Sequence, residues 1–282
     1  MQVVKTIASL KPLRSRLREQ KAKVTLVPTM GALHAGHLSL VQQAKKISDH
    51  VVVSIFVNPT QFGPGEDFQE YPRNLDRDLS LLEESGVGSV FIPEVGEIYP
   101  AGFQTYVTVA ELSQKLCGVS RPSHFRGVTT VVLKLFNIVQ PESAIFGQKD
   151  VQQVIIIRRM LRDLNLDVEL IACPTVREPD GLALSSRNQY LSKAERKAAT
   201  IIYQCLQWAK QRVERGETHS ARILQGIKDR IERESLARLD YAEIVDAGNL
   251  NRKANVENNS LLALAVFVGK TRLIDNIVLQ CR

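Results

Sequence analysis

No stretch of this sequence is long and apolar enough to form a membrane-spanning helix. The longest apolar run, Leu261–Val268, is eight residues, against about 20 for a spanning helix. Met1–Leu10 runs into a basic stretch, Lys11–Lys23, with neither a continuous apolar segment nor a small-residue cleavage site, so no targeting signal is expected. Cysteine is scarce and scattered: Cys117, Cys173, Cys205 and Cys281 form no CxxC pair. That excludes a zinc ribbon or disulfide framework and makes a reducing cytoplasm the expected compartment. Aromatic residues are only 6% of the chain and are not interleaved with Lys and Arg, as stacking platforms for single-stranded nucleic acid require. The net charge of +7 concentrates phosphates at a surface. Here, though, the basic residues are spread along the chain among acids, with no basic tail, so the charge assists anionic substrates at most.

What remains is an ordinary globular composition, 44% hydrophobic and 24% charged over 282 residues, enough to bury a core in one large or two small domains. The first two thirds alternates Val/Ile-rich runs with helical periods, the pattern of an α/β, Rossmann-like parallel sheet with crossover helices. Expected strands are Val24–Val27, Val51–Val57, Ser89–Ile92, Ala144–Phe146 and Val168–Ala172, and their near-continuous apolarity suits strands covered on both faces. Leu38, Val41, Ala44 and Ile47 mark one helix face, and Phe125–Val139 and Val151–Leu164 read as further helices. Ser192 with Glu195 forms a capping-box pattern that opens a helix to about Glu214, followed by a helix over Ser220–Arg233. Strands are expected at Tyr241–Val245, Leu261–Val268 and Ile274–Leu279. The change in texture places a boundary near residues 176–190, at the Pro179-Asp180-Gly181 turn. It separates a catalytic domain (1–180) from a smaller α/β C-terminal domain (181–282), expected to act as a lid.

Between the first of these strands and the helix after it lies Pro28-Thr29-Met30-Gly31-Ala32-Leu33-His34-Ala35-Gly36-His37. Ligands of parallel sheets collect at such strand ends, and a helix N-terminus offers unpaired N–H groups to phosphate. His34 and His37 are three apart and share a helical face. Two imidazoles there can donate hydrogen bonds to a phosphate whose charge rearranges during transfer. A helix cap or a surface pair is the plainer reading of the same spacing. Zinc fits less well, since no Glu lies between the histidines and no third ligand is apparent.

Two other segments have the residue types for phosphate. Gly147-Gln148-Lys149-Asp150 follows a strand and precedes a helix, so its Lys offers a point charge and its Asp an acceptor for ribose hydroxyls. Ser185-Ser186-Arg187 offers two hydroxyls and a planar guanidinium, a set suited to pyrophosphate. Taken alone, each is equally a solvated turn.

The spacing His34-Ala35-Gly36-His37 resembles the HIGH motif of class I aminoacyl-tRNA synthetases and nucleotidylyltransferases. With its neighbours it resembles one family of that group, the pantothenate synthetases. The matching words are Pro28–His37 (PTMGALHAGH), Ile55–Phe62 (IFVNPTQF), Tyr71–Arg73 (YPR), His124–Val128 (HFRGV), Phe146–Gln153 (FGQKDVQQ), Leu182–Asn188 (LALSSRN) and Arg272–Asn276 (RLIDN). The resemblance implies condensation of pantoate with β-alanine at the expense of ATP, through a pantoyl adenylate, with Mg²⁺ accompanying ATP and no protein metal ligands assigned. It implies catalytic roles for His34, His37, Lys149, Ser186 and Arg187. It implies ATP contacts from Met30, Gly31, Ala32, Leu33, His34, Ala35, Gly36, His37, Gly147, Gln148, Lys149, Asp150, Val176, Leu184, Ser185, Ser186 and Arg187. Gln61 and Gln153 would hold the pantoate hydroxyls, with Gln61 also near β-alanine, and a homodimer is expected. Met30, Val57 and Phe62 are candidates to wall the gem-dimethyl group, and Arg126 is a candidate anion contact. Thr60, Ser123 and Gln148 depart from the residues usual in the family, and none removes a group the chemistry needs.

Two rival readings remain. A nucleotidylyltransferase would share the histidine motif without needing the two glutamines or LALSSRN, and would form a diphosphate rather than an amide. An RNA-binding protein would show steep salt dependence.

Overall fold

The structure is a computed structural model that describes residues 1–281. Its chain groups into two compact units, the first comprising Met1–Gln114, Gly118–Gln148 and Ile156–Pro174, the second Lys115–Cys117, Lys149–Ile155 and Thr175 onward.

The first unit is built on six parallel strands: β1 (Gln2–Val4), β2 (Val24–Thr29), β3 (His50–Ile55), β4 (Ser89–Phe91), β5 (Ser143–Gly147) and β6 (Glu169–Cys173). Their order is β1-β4-β3-β2-β5-β6. The register aligns Val24–Thr29 with His50–Ile55 on one side of β2, while Thr25 and Leu26 pair with Ser143 and Ala144 on the other. Because successive strands leave β2 in opposite directions, its C-terminal end is the topological switch point of the sheet, where ligands bind in open α/β folds. The central strands are buried on both faces: Leu26, Val27, Val53, Val90, Ala144 and Ile145 are wholly inaccessible. This matches the apolar runs expected of a covered parallel sheet.

The crossover elements are α1 (Ile7–Glu19), α2 (Ala35–Ile47), α3 (Leu75–Glu84), α4 (Val95–Ile98), α5 (Cys117–Ser120), α6 (His124–Val139) and α7 (Val151–Asp163). The sequence reading contained neither β1 nor α1. Arg14, Arg16 and Arg18 mask an apolar stripe in α1, Leu10, Leu13 and Leu17, all of which are buried, and Pro12 within it reads as a breaker. In α2 the buried positions are Leu40, Val41 and Ala44, so the face turns slightly from the one expected through Leu38.

In the second unit, three antiparallel strands, β7 (Ala237–Asp246), β8 (Ser260–Val268) and β9 (Thr271–Leu279), are ordered β7-β8-β9. They pack on α8 (Lys193–Ala198), α9 (Ile201–Glu214) and α10 (Ser220–Glu232). Ile202, Leu206, Ile223, Ile227, Ile231, Leu262, Leu264 and Val266 form this core. The Ser192–Glu195 capping box is present, but the single helix expected to reach Glu214 is two. At the break, the Thr200 hydroxyl donates to the Lys197 carbonyl at 2.8 Å and the Ile202 amide donates to Ala199. A tightened turn thus replaces the regular ladder. No helix among the described residues is long and apolar enough to cross a membrane.

Candidate active site

The β2–α2 junction is shaped by its main chain. Gly31 at φ +81° and Ala32 at φ +50° lie in the left-handed region, which glycine tolerates freely and which costs alanine about 1 kcal/mol. The Thr29 hydroxyl donates to Ser54 of β3 at 2.7 Å and accepts from the Gly31 amide at 3.2 Å, so the turn begins from a fixed point on the sheet. His34 then caps α2. Its Nδ1 accepts from the Gly36 amide at 3.1 Å, and its own amide donates to Nδ1 of His37 at 3.4 Å. The two rings lie 4.1 Å apart, centroid to centroid, tilted by 34°. A nitrogen that accepts a hydrogen bond carries no proton, so in both neutral rings the proton sits on Nε2. The helix cap therefore selects the tautomer, and each imidazole presents an N–H donor.

Gln61 ends a short 3₁₀ turn, Pro59–Gln61, and is only 9% exposed. Its Nε2 donates to Met30 Sδ at 2.9 Å, and its Oε1 accepts from Asn58 Nδ2 at 3.1 Å. Asn58 is a residue that sequence reasoning missed. Buried to 1% exposure, it also donates to the Gly127 carbonyl at 3.1 Å. Its Oδ1 accepts from the Thr60 hydroxyl at 2.9 Å and from the Tyr99 hydroxyl at 2.8 Å. Burial raises the Tyr99 phenol above its usual range, against the opposing hydrogen bonds from Thr60 and Asn58, so the phenol stays a donor. The signal was present in IFVNPTQF, since Asn before Pro is a common turn opener, but the contact with α6 spans 69 residues. Thr60 thus contributes a hydroxyl to the network that orients Gln61.

The backbone of this turn is gripped from α6 and its approach. His124 Nδ1 donates to the Gln61 carbonyl at 2.8 Å, and Arg121 forms a two-pronged pair with Glu66, Nε to Oε1 at 2.7 Å. Burial works to raise the Glu66 carboxyl, but Arg121, the Gly63 backbone and His124 together hold it below the usual glutamate range. A depressed carboxylate stabilises the fold above the unfolded value and loses that contribution as pH falls through the folded one. The Gly63–Glu66 loop should therefore loosen as pH drops below about 4.3. The pair contributes about 1 kcal/mol. Acid titration of stability in wild type and Glu66→Gln checks this: the variant should lose the step, and an identical profile in both would refute it.

A cavity of about 550 Å³ opens in the first unit at the C-terminal ends of β2, β3 and β4. Met30 and Val57 line it, whereas Phe62 instead packs on Phe68 and Tyr71. Arg126 is stacked over the Tyr106 ring at 5.0 Å. Gly147 and Gln148 stand at the end of β5, beside β2 in the sheet, and a Cβ on Gly147 would meet no protein atom.

The second unit collects the other candidates. Val176 and Leu184 are joined by a main-chain hydrogen bond of 3.0 Å. Ser185 caps the 3₁₀ turn Ser186–Tyr190 by accepting from the Arg187 amide at 3.3 Å, and Ser186 is buried. Lys149, Asp150 and Gln153 fall in the same unit. The RLIDN word supplies a tether to Lys149 and two ion pairs within this unit. Asn276 donates to the Lys149 carbonyl at 3.0 Å, and Asp275, 3% exposed, takes a bidentate grip from Arg177 at 2.5 and 2.9 Å. Arg272 bonds Asp240 through Nε at 3.0 Å and Nη2 at 2.8 Å, beside Tyr241 and Cys117. Among the described residues no group of three or more His, Cys, Asp or Glu side chains is arranged to hold a metal ion.

Nearly the whole chain matches one family of known proteins. The family model for pantoate-beta-alanine ligase matches residues 2–278. A pantothenate synthetase of Acetivibrio thermocellus is 53% identical over 280 residues, covering 99% of this chain and 100% of that one. One from Thermosipho africanus is 54% identical over 279 residues, again covering 99% and 100%. Among solved structures, the pantothenate synthetase of Thermus thermophilus superposes with a TM-score of 0.94 at 44% identity, covering 99% of this chain and 100% of that chain. A pantoate-beta-alanine ligase of Francisella tularensis, complexed with beta-gamma ATP and beta-alanine, has a TM-score of 0.83 at 37% identity, with 99% and 97% coverage.

Proposed function

The chain belongs to the pantoate-beta-alanine ligase family, and from that premise we propose how its residues divide the chemistry of the ligation. The reaction is the ATP-dependent condensation of pantoate with β-alanine to give pantothenate. A carboxylate is too stable for an amine to attack at neutral pH, so it is first activated. The pantoate carboxylate oxygen attacks the α-phosphorus of ATP in line, and the bond to pyrophosphate breaks. The amine of β-alanine then attacks the acyl carbon, the acyl–oxygen bond to AMP breaks, and the amine proton is lost to solvent. No covalent enzyme intermediate is required.

The observation that carries the assignment of roles is the histidine pair at the N-terminus of α2, with both Nδ1 atoms engaged by main-chain amides. His34 and His37 donate from Nε2 to the α-phosphate oxygens as charge builds on them. The residues from Met30 to Gly36 bring their backbone to the nucleotide, and the open face of Gly147 admits its ribose beside Gln148 and Asp150. Val176 and Leu184 flank the base. Lys149, Ser185, Ser186 and Arg187 hold the departing pyrophosphate. Mg²⁺ belongs to ATP itself, whose phosphate oxygens are the hard ligands it prefers. Gln61 and Gln153 bond the pantoate hydroxyls with neutral amides, which donate and accept without bringing a charge, and Gln61 also borders β-alanine. A cytoplasmic homodimer completes the proposal.

The test is AMP and pantothenate formation from ATP, pantoate and β-alanine, with each acid omitted in turn. Turnover should require both acids and yield equal amounts of the two products. AMP release without β-alanine at the full rate, or no turnover with pantoate present, would overturn the acceptor assignment.

A further inference from the structure

In the β2–α2 loop the amides of Ala32 and Leu33 both donate to a single side chain of α3. Asp78 accepts from the Ala32 amide through Oδ2 and from the Leu33 amide through Oδ1, each at 2.8 Å, across 46 and 45 residues of sequence. The carboxylate is 1% exposed, and its hydrogen bonds come from main-chain amides. A buried anion is expensive unless its oxygens are satisfied, and only a carboxylate can accept from two successive amides with two equivalent oxygens. The adjacent residue on α3 grips the same loop: Arg77 Nη1 donates to the Leu33 carbonyl at 3.0 Å. Three main-chain polar groups of Ala32 and Leu33, just before His34, are therefore clamped by two successive side chains. The clamp spans Ala32, whose left-handed backbone (φ +50°) would otherwise relax.

We propose that Asp78 is a positioning residue for the histidine pair. By fixing the amides of Ala32 and Leu33, it sets the direction from which the chain enters α2. The His34 amide and imidazole are thereby placed so that the first meets His37 Nδ1 and the second caps the helix. Asp78 lines the same cavity as Met30, and in this proposal it acts on the histidines through its two hydrogen bonds to the loop. The inference rests on the assignment of His34 and His37 to the α-phosphate.

Asp78→Asn in the full chain is the test. The amide keeps the size and one acceptor, but turns an NH₂ group toward an amide N–H. The expected result is a fall in kcat of about 10²-fold, the scale for displacing a catalytic group by about 1 Å, with the KM values for pantoate and β-alanine little changed. Asp78→Glu, which restores two acceptors, should recover part of the rate. In the histidine ring NMR spectrum, the signals of His34 and His37 should move while those of His50, His124 and His219 stay. In a His37→Ala background, Asp78→Asn should cost much less than in wild type, because residues acting as a unit are not additive. Unmoved His34 and His37 signals, an unchanged kcat with only a lower melting temperature, or full additivity would each overturn the proposal. Amide hydrogen exchange of the wild type needs no variant to fold, and rapid exchange at Ala32 and Leu33 would also overturn it. The two readings fail separately: a His37→Ala enzyme with full kcat would remove the phosphate assignment, yet Asp78→Asn would still shift the histidine signals.

Discussion

His37→Ala is expected to lower kcat by about 10²- to 10³-fold, the loss found when one preorganised donor to a developing oxyanion is removed. The KM for pantoate should barely change, because in the proposed role the ring's contribution grows as negative charge accumulates on the α-phosphate and is small in the ground state. The structural cost is minor. The hydrogen bond that His37 accepts from the His34 amide is long, 3.4 Å, so its loss should cost less than about 1 kcal/mol. His34→Ala offers a contrast, since its ring takes the Gly36 amide at 3.1 Å as the helix cap. That variant should lose both rate and about 1 kcal/mol of stability. Steady-state AMP formation beside a thermal melt separates the two effects. A His37→Ala enzyme with kcat near wild type would end the proposed role of this ring, and a large fall in its melting temperature would show the kinetic loss to be indirect.

Gly127→Ala sets two physical effects against each other. Gly127 lies within α6, where alanine is favoured over glycine by about 1 kcal/mol, so helix propensity alone forecasts a more stable protein. Its Cβ, however, would stand 2.6 Å from the Gln61 amide nitrogen and closer still to the Thr60 carbonyl. These are backbone atoms and cannot rotate aside, so α6 and the Pro59–Gln61 turn must separate. Overpacking of this kind costs about 1–3 kcal/mol, and the separation also strains the Asn58–Gly127 bond at 3.1 Å, worth about 1 kcal/mol. The clash outweighs the propensity. A net destabilisation of about 2 kcal/mol is expected, and the pantoate KM should rise as Gln61 is displaced. A melting temperature above wild type with unaltered KM would mean that the turn and the helix tolerate separation.

How far these features were legible depends on the range of the interaction that creates them. The central parallel strands were readable because a strand covered on both faces must be apolar at nearly every position, as β2, β3 and β5 are, whereas β1 at the sheet edge was not. The cap at Ser192 was readable because both partners lie within four residues. The break at Thr200 was not, since a single hydroxyl decides it within an otherwise helical pattern. Nor was α1, where arginines conceal three buried leucines. In the site, the histidine spacing stood out by residue type and Gln61 only through the resemblance carried by IFVNPTQF, whereas Asn58 has the form of any turn opener. Asp78 looked like an acid placed in a first helical turn to suit the dipole. Its two acceptor bonds join residues 45 and 46 positions away, a separation at which one sequence shows no pattern. Likewise, only the folded chain shows Asn276 bonded to the carbonyl of Lys149.

The cap that fixes the two imidazoles also sets when their freedom is lost. Turning either ring by 180° would replace Nδ1 with a carbon and break its amide contact, and moving the proton to Nδ1 would do the same. Flip and tautomer are therefore both settled as α2 forms, before any nucleotide arrives. In the proposed role, much of the ordering entropy of the two donors is met in folding, once per molecule, and not at every turnover. Under that assignment, donors preorganised in this way need no reorganisation at the moment of reaction.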